Sequence, residues 1–179
     1  VGNLIAWDLD FDLRTALQTA AENLPLQAEP ESQTECLTFI VERLRNLFLD
    51  EGYAHDVVAA VVNAQGHNPA KAAQAVEQLS QAVQRPDWEK LLDAYARCVR
   101  ITRDLDERYD VDPDLFEEQA TEALYAALQE AETADRTPGS VDDFLAAFEP
   151  MIPAIDRFFD DVLVMAEDEN VRRNRLALL

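Results

Sequence analysis

Positive charge collects at two places in this 179-residue chain. Arg97, Arg100 and Arg103 follow one another at three-residue spacing, and a second group of arginines occupies positions 172, 173 and 175. Arginine forms bidentate hydrogen bonds with phosphate and carboxylate groups, and its flat guanidinium stacks on aromatic rings. Both groups are therefore candidates for binding the phosphates of a nucleic acid.

The surplus of acidic residues offers a different role for the same arginines. Asp and Glu number 36 against 15 Lys and Arg, which gives a formal net charge of -21. Asp168 and Glu169 precede Arg172 and Arg173 by four residues, the acid-to-base order that favours ion pairs on a helix. Because the net charge repels nucleic acid at long range, RNA binding would need a local patch. Spacing alone leaves both roles open.

The chain offers little for catalysis or metal binding. His55 and His67 have no metal-type partner at helical spacing, and the four glycines are isolated, so no phosphate-binding glycine-rich loop is present. Acidic runs are interpreted as solvated helix faces, with a weak divalent-cation site as the alternative. We predict no catalytic residue and no metal ligand. The acidic runs are Asp142-Asp143, Asp160-Asp161 and Glu167-Asp168-Glu169.

Cysteine usage and hydropathy indicate a cytoplasmic protein. Cys36 and Cys98 lack metal-type spacing, so we expect two buried free thiols in a reducing compartment. No stretch approaches the roughly 18 apolar residues that cross a bilayer, and the first residues lack the pattern of a signal peptide. We therefore expect no membrane association.

Periodicity predicts an all-α fold, a bundle of about seven to nine helices. Apolar residues recur at helical spacing, and no alternating strand with a hairpin turn is present. Asn68 and Pro69 suit the N-cap and first position of a helix, and Gly52 suits the left-handed residue that ends one. Helices are predicted over 1–6 (the end of a longer helix), 10–24, 31–52, 54–66, 68–85, 87–109, 117–134, 140–166 (two, interrupted near the prolines at 150 and 153) and 167–179.

A boundary is predicted near Pro86, within the sequence "QRPDW". Short helices precede this point, and longer helices with more aromatic residues follow it. We expect an N-terminal helical subdomain over 1–85 and a second helical domain over 86–179, with one continuous unit as the alternative.

The C-terminal half resembles a known family. Residues 111–128 ("VDPDLFEEQATEALYAAL"), 158–169 ("FFDDVLVMAEDE") and 172–179 ("RRNRLALL") are similar to the end of the β subunit of bacterial two-subunit glycyl-tRNA synthetase. "FLDEGYAHDVVAAVV" and "LLDAYARCVRIT" also resemble this family, so the likeness covers the chain from end to end. The resemblance implies that 86–179 forms an anticodon-binding helical domain of the DALR type.

The most specific part of the resemblance is the family's run R-x-N-R-L-x-L-L, which this chain matches from Arg172 to Leu179. We expect Leu176 and Leu179 to be buried, and Asn174 and one arginine to tie the helix to a neighbour. The four-residue signature that names the domain type is Glu169-Asn170-Val171-Arg172 here, and only its arginine is retained. Because of this departure, the signature itself need not contact RNA.

The resemblance implies a non-catalytic, tRNA-binding portion of a glycine–tRNA ligase. Its partners would be glycine tRNA, the α subunit and the rest of the β subunit, while ATP and Mg²⁺ would act at the α subunit and no cofactor would bind here. The anticodon stem-loop of the glycine tRNA would be held by contacts to its phosphates, and its splayed bases would be read on their edges. The candidate RNA-binding residues are Arg97, Arg100, Arg103, Arg172, Arg173, Asn174 and Arg175.

A protein-interaction scaffold and a small metalloenzyme are the two alternatives to RNA binding. A helical protein-interaction scaffold predicts that Asp and Glu pair with the arginines, whereas RNA binding predicts a positive groove between the helix of Arg97 and the last helix. A small metalloenzyme would need facing carboxylates or histidines from different helices, for which the sequence offers scattered candidates only.

Overall fold

The computed structural model describes residues 1–25 and 29–179. Over these residues the fold is all-α, as predicted, with no strand and with nine helices of eight or more residues. The elements are α1 (Gly2–Ala6), α2 (Leu13–Glu22), α3 (Pro30–Asp50), α4 (His55–Gln65), α5 (Pro69–Ala82), α6 (Trp88–Thr102), α7 (Gln119–Thr133), α8 (Val141–Phe148), α9 (Ile152–Asp161) and α10 (Glu169–Ala177), with 3-10 turns at Pro113–Leu115 and Glu149–Met151.

The chain divides into two compact units. The first contains Val1–Gln84 and Thr137–Asp142, and the second contains Arg85–Arg136 and Asp143–Leu179. The main division falls one residue from the boundary predicted after residue 85. The sequence did not indicate that 137–142 joins the first unit. There Gln65 Nε2 donates to the Gly139 carbonyl at 3.2 Å, and the Val141 N–H donates to Gln78 Oε1 at 2.8 Å.

The core of the first unit forms between α3, α4 and α5. On α4, valines at spacing i, i+1, i+4 and i+5 share one face, and this face is buried. Leu44 and Phe48 from the second half of α3 pack into the same cluster. The buried cluster is Leu44, Phe48, Val57, Val58, Val61, Val62, Ala72, Ala75 and Val76.

Local signals fix the helix ends of the first unit, and the predicted roles of Asn68, Pro69 and Gly52 are confirmed. The Asp12 carboxylate caps α2 by accepting from the backbone N–H groups of Arg14 and Thr15. Asn68 caps α5, with Pro69 at the first helical position, and its side-chain oxygen accepts from the Lys71 N–H at 3.3 Å. Gly52 follows α3 with a φ of 93°, the left-handed backbone that favours glycine.

The second unit buries its core between α6, α7 and α9. Phe158 and Leu124 are fully buried, and Ile155 is 2% exposed. On α6 the buried residues are Leu91, Ala94 and Cys98. The prolines at 150 and 153 interrupt the chain between α8 and α9, as expected from their missing N–H donors.

Three sequence-based predictions about the fold are wrong. The second helix predicted within 140–166 ends at Asp161. The helix predicted over 87–109 ends at Thr102, because the acids that follow, Asp104, Asp106 and Glu107, are unfavourable at the negative end of a helix dipole. Cys36 is exposed rather than buried, because the fully buried residues of α3, Leu44 and Phe48, lie in its second half.

Candidate nucleic-acid interface

The last helix carries the basic run and begins at a carboxylate cap. Asp168 Oδ1 accepts from the N–H groups of Asn170 at 2.8 Å and Val171 at 3.1 Å, which fixes the start of α10. Glu169 lies in its first turn and Arg175 in its last turn, the charge order that a helix dipole favours. The cap therefore sets the direction in which the following side chains leave the helix.

Asn174 contacts protein rather than solvent. Asn174 is 4% exposed, and its side-chain Oδ1 accepts a hydrogen bond from the Asp112 N–H at 2.7 Å. Its Nδ2 donates to the Asp112 carbonyl at 2.8 Å. The amide thus pairs both backbone polar groups of one residue in the segment that connects α6 to α7.

Arg175 is buried in the same region, and its side chain is 8% exposed. Its Nη1 donates to the Leu163 carbonyl at 2.9 Å, and its Nη2 pairs with Glu117 at 3.1 Å and with Glu118. These contacts tie α10 to the start of α7, as the sequence predicted for Asn174 and one arginine. RNA contact by these two residues stays a prediction that their burial does not favour.

The other two arginines of the run are more accessible. Arg172 Nη1 donates to the Ala166 carbonyl at 3.2 Å, and no carboxylate of the described residues pairs with it. Arg173 pairs with Glu169 at 2.6 Å, four residues earlier, and its guanidinium lies 5.6 Å from the centre of the Tyr109 ring. Of the predicted hydrophobic anchors, Leu176 is buried, while Leu178 rather than Leu179 is the second.

The three arginines near the end of α6 each lie beside a carboxylate. Arg97 pairs with Asp156 at 3.2 Å and covers the Phe159 ring at 4.4 Å. Arg100 lies 3.7 Å from Asp93, and Arg103, the residue that follows α6, lies 3.5 Å from Asp104. All three of these predicted arginines therefore lie beside an acid, whereas a positive groove between α6 and α10 required them to be free of acids.

These ion pairs are physically weak where they are exposed. The side chains of Arg100, Arg103 and Arg173 are 65%, 64% and 50% exposed. Exposed pairs typically contribute about 0–1 kcal/mol, because water and salt screen them. A phosphate can replace such a carboxylate at small cost, so pairing alone does not remove these arginines from an RNA surface.

Sequence reasoning missed three cations of the second unit, Lys90, Arg108 and Arg136. Among the described residues, four of its basic side chains have no carboxylate oxygen within 4.0 Å: Lys90, Arg108, Arg136 and Arg172. Arg108 and Arg136 stand alone in acidic stretches, so no cluster marked them. The basic-aromatic pair Arg108-Tyr109 was the available signal.

Two concave surfaces of the second unit adjoin these cations. A cavity of about 530 Å³ lies between the segment after α6 and the end of α10, with Arg108 and Tyr109 in its wall. A more apolar groove of about 410 Å³ has Arg136 at its edge. It also contains Tyr95, which packs edge-on against Phe144 and Phe148 with ring centres 6.0 and 5.8 Å apart.

The remaining titratable groups form no reactive cluster. No group of three or more His, Cys, Asp or Glu that suits a metal ion occurs in 1–25 and 29–179. Burial raises the pKa of the Cys98 thiol to about 11, so it stays protonated at neutral pH. No helix in the described part of the chain is long and apolar enough to cross a membrane.

Curated relatives match the chain along nearly its whole length. A glycine–tRNA ligase β subunit from Moorella thermoacetica is 35% identical over 98% of this chain and 26% of its own length, and one from Aromatoleum aromaticum gives the same figures. A chloroplastic/mitochondrial glycine–tRNA ligase from Arabidopsis thaliana is 29% identical over 98% of this chain and 17% of its own length. No family model matches the chain.

These matches confirm the resemblance to the glycine–tRNA ligase β subunit. The chain spans about a quarter of the length of the bacterial relatives that it matches. The DALR type of its second unit stays a prediction.

Proposed function

We propose that this chain, which is similar to glycine–tRNA ligase β subunits along 98% of its length, is a non-catalytic tRNA-binding portion of such an enzyme. In this proposal the second unit recognises the anticodon stem-loop of glycine tRNA during aminoacylation. The extended similarity to enzymes named for glycine and tRNA is the observation that carries it. The rest of the β subunit and an α subunit that uses ATP and Mg²⁺ would be its partners, in the cytoplasm.

The surface chemistry of the second unit supports this proposal. Unpaired anticodon bases stack on aromatic rings and arginine planes, and their phosphates attract basic side chains. Tyr95 and Phe144 are 43% and 39% exposed, although both are large aromatic residues. Arg108, Arg136 and Arg172 have no carboxylate partner among the described residues, which leaves their positive charge available to phosphate.

The strong negative charge lowers the affinity for RNA that is expected of this chain alone. A net charge of -21 opposes approach of RNA, so binding by this chain alone is expected to be weak and to fall as salt rises. In the complete enzyme other contacts would add to it. Local recognition then contributes mainly to selectivity between tRNAs.

A protein-interaction scaffold is the second candidate, and the ion pairs favour it. That hypothesis predicted arginines tied up by acids, and Arg97, Arg100, Arg103, Arg173 and Arg175 all lie beside carboxylates. It offers no explanation for the similarity to tRNA ligases. We therefore favour the tRNA-binding function.

Nuclease protection of whole glycine tRNA by the 179-residue chain tests the proposal. Protection confined to the anticodon stem-loop at low salt is the expected result. A tRNA of another amino acid, treated in the same way, is the control. Absent protection, or protection confined to the acceptor stem, would contradict an anticodon-binding role.

A further inference from the structure

The cavity of about 530 Å³ in the second unit has the size of a site for a single nucleoside. One wall comes from the segment after α6 and the other from the end of α10. The first wall is polar and the second is apolar. The polar wall contains Asp106, Glu107, Arg108 and Tyr109, and the apolar wall contains Leu176 and Ala177.

Buried contacts hold the polar wall in place. Downstream of it, Asn174 makes both of its hydrogen bonds with the backbone of Asp112, and Arg175 pairs with Glu117. Arg173 covers the Tyr109 ring at 5.6 Å. α10 therefore provides the apolar wall and also contacts the polar wall and the segment that follows it.

The charges of the cavity restrict what it can accept. Two carboxylates and one guanidinium leave a net charge of -1, so a ligand that places several phosphates inside the cavity, such as ATP, is repelled. One nucleotide of an RNA can instead bring a single phosphate to Arg108 and keep its other phosphates outside the cavity. Arg108 has no carboxylate partner among the described residues, so it can contact one phosphate. The carboxylates of Asp106 and Glu107 are acceptors that suit an amino group. A nucleotide unit within RNA presents this combination of one phosphate and an exocyclic amine.

Among the bases, cytosine fits best under the proposed function. Asp and Glu accept hydrogen bonds from the N4 amine of cytosine. All glycine codons begin with two guanines, so the anticodon of every glycine tRNA contains two adjacent cytosines. We propose that this cavity binds one of these unpaired cytosines, with Asp106 or Glu107 accepting from its N4 amine and Arg108 contacting its phosphate. This inference rests on the proposed function of the chain.

The test compares cytosine with uracil, which has the same ring but a carbonyl in place of the amine. The 179-residue chain is titrated with a fluorescent glycine anticodon stem-loop and with versions in which each anticodon cytosine is replaced by uridine. One replacement is expected to weaken binding by roughly 5- to 100-fold, the range of a good base-edge contact. In the double variant Asp106→Asn, Glu107→Gln this preference should fall below about 2-fold, while Arg108→Ala should weaken both RNAs equally.

A matched control is available in the first unit. Asp50 and Glu51 are also adjacent, exposed acids, so Asp50→Asn, Glu51→Gln makes the same charge change away from the cavity. This control should keep the full preference for cytosine. Thermal melting of each variant checks that the fold is retained.

The outcomes separate this inference from the proposed function. If the chain selects the glycine stem-loop but Asp106→Asn, Glu107→Gln keeps the cytosine preference, the cavity assignment is overturned and the proposed function stands. Equal binding of the cytosine and uridine stem-loops by the unsubstituted chain also overturns the assignment. No binding of any stem-loop at low salt overturns both.

Discussion

The side-chain amide of Asn174 pairs with both backbone groups of Asp112, a residue 62 positions earlier in the chain. It accepts from the N–H at 2.7 Å and donates to the carbonyl at 2.8 Å. An extended segment that lacks a helix of its own therefore gains hydrogen-bond partners from α10. The segment that forms the polar wall of the cavity depends on this contact.

Removing this amide should destabilise the protein. Asn174→Ala removes both hydrogen bonds to the backbone of Asp112, and a typical hydrogen bond contributes about 0.5–1.5 kcal/mol. We expect a loss of that order or more in the free energy of unfolding, measured by urea denaturation. Asn170→Ala is the control, because Asn170 is exposed on the same helix, and it should change stability by less than about 0.5 kcal/mol. Equal effects would contradict the role of Asn174.

Arg175 and Arg173 should differ sharply although they are two residues apart. Arg175→Ala removes a buried guanidinium that pairs with Glu117 and Glu118 and donates to the Leu163 carbonyl. The side chains of the two acids are 65% and 31% exposed, so water can solvate them, and we expect a loss of about 1.5–3 kcal/mol, typical of hydrogen bonds to a charged group. Arg173→Ala removes an exposed pair with Glu169, which is worth about 0–1 kcal/mol. Urea denaturation of the two variants measures the difference, and similar values would show that Arg175 is not the buried tie.

The two cysteines should react with a thiol reagent at very different rates. Cys36 is exposed, so it should label rapidly at pH 8. Cys98 is buried and its pKa is about 11, so roughly one thiol in a thousand is ionised at that pH. Cys36→Ala should abolish rapid labelling, and denaturant should restore one thiol per chain. Rapid labelling of Cys36→Ala without denaturant would contradict the burial of Cys98.

The cap of α2 should make stability depend on pH. The hydrogen bond from the Arg14 side chain, with further bonds from backbone N–H groups, holds the pKa of Asp12 below its ordinary value against the effect of burial. A carboxyl whose pKa is lowered in the folded state contributes stability above its unfolded pKa of about 3.8 and loses it as pH falls below that value. Asp12→Ala should cost about 0.5–2 kcal/mol at pH 7.

Asp12→Asn separates the cap from its charge. Asparagine also caps helices, so this variant should retain most of the stability at pH 7. Its denaturation midpoint should change less between pH 5 and pH 3 than that of the unsubstituted chain. An unchanged pH dependence would show that Asp12 does not titrate with folding.

The sequence predicted the helices and their caps because both depend on neighbouring residues. The valines of α4 and the Asn68-Pro69 start of α5 needed no information from elsewhere in the chain. By contrast, the end of α6 depended on a run of acids that the apolar periodicity did not reveal. Helical spacing therefore predicted where the helices lie but not the residue at which each one ends.

The candidate site was harder to predict, because its partners are far apart in sequence. Asp112 and Glu117 lie about 60 residues before the arginine run, so spacing did not indicate which segment Asn174 contacts or which arginine of the run is buried. Arg108 was not predicted as a site residue, because it is an isolated cation that belongs to no basic cluster in the sequence. Charge pairing in three dimensions, rather than charge density along the chain, determines which arginines remain available.

The most direct test of anticodon recognition by this chain is its selectivity between anticodons. The measurement is the ratio of the dissociation constants of the 179-residue chain for the glycine anticodon stem-loop and for the same stem with another anticodon, at low and moderate salt. Binding of the glycine stem-loop should be at least about fivefold tighter, since one lost base-edge contact costs roughly 1–3 kcal/mol. Both affinities should fall as salt rises. Equal affinities, or no binding of either stem-loop at low salt, would contradict anticodon recognition by this chain.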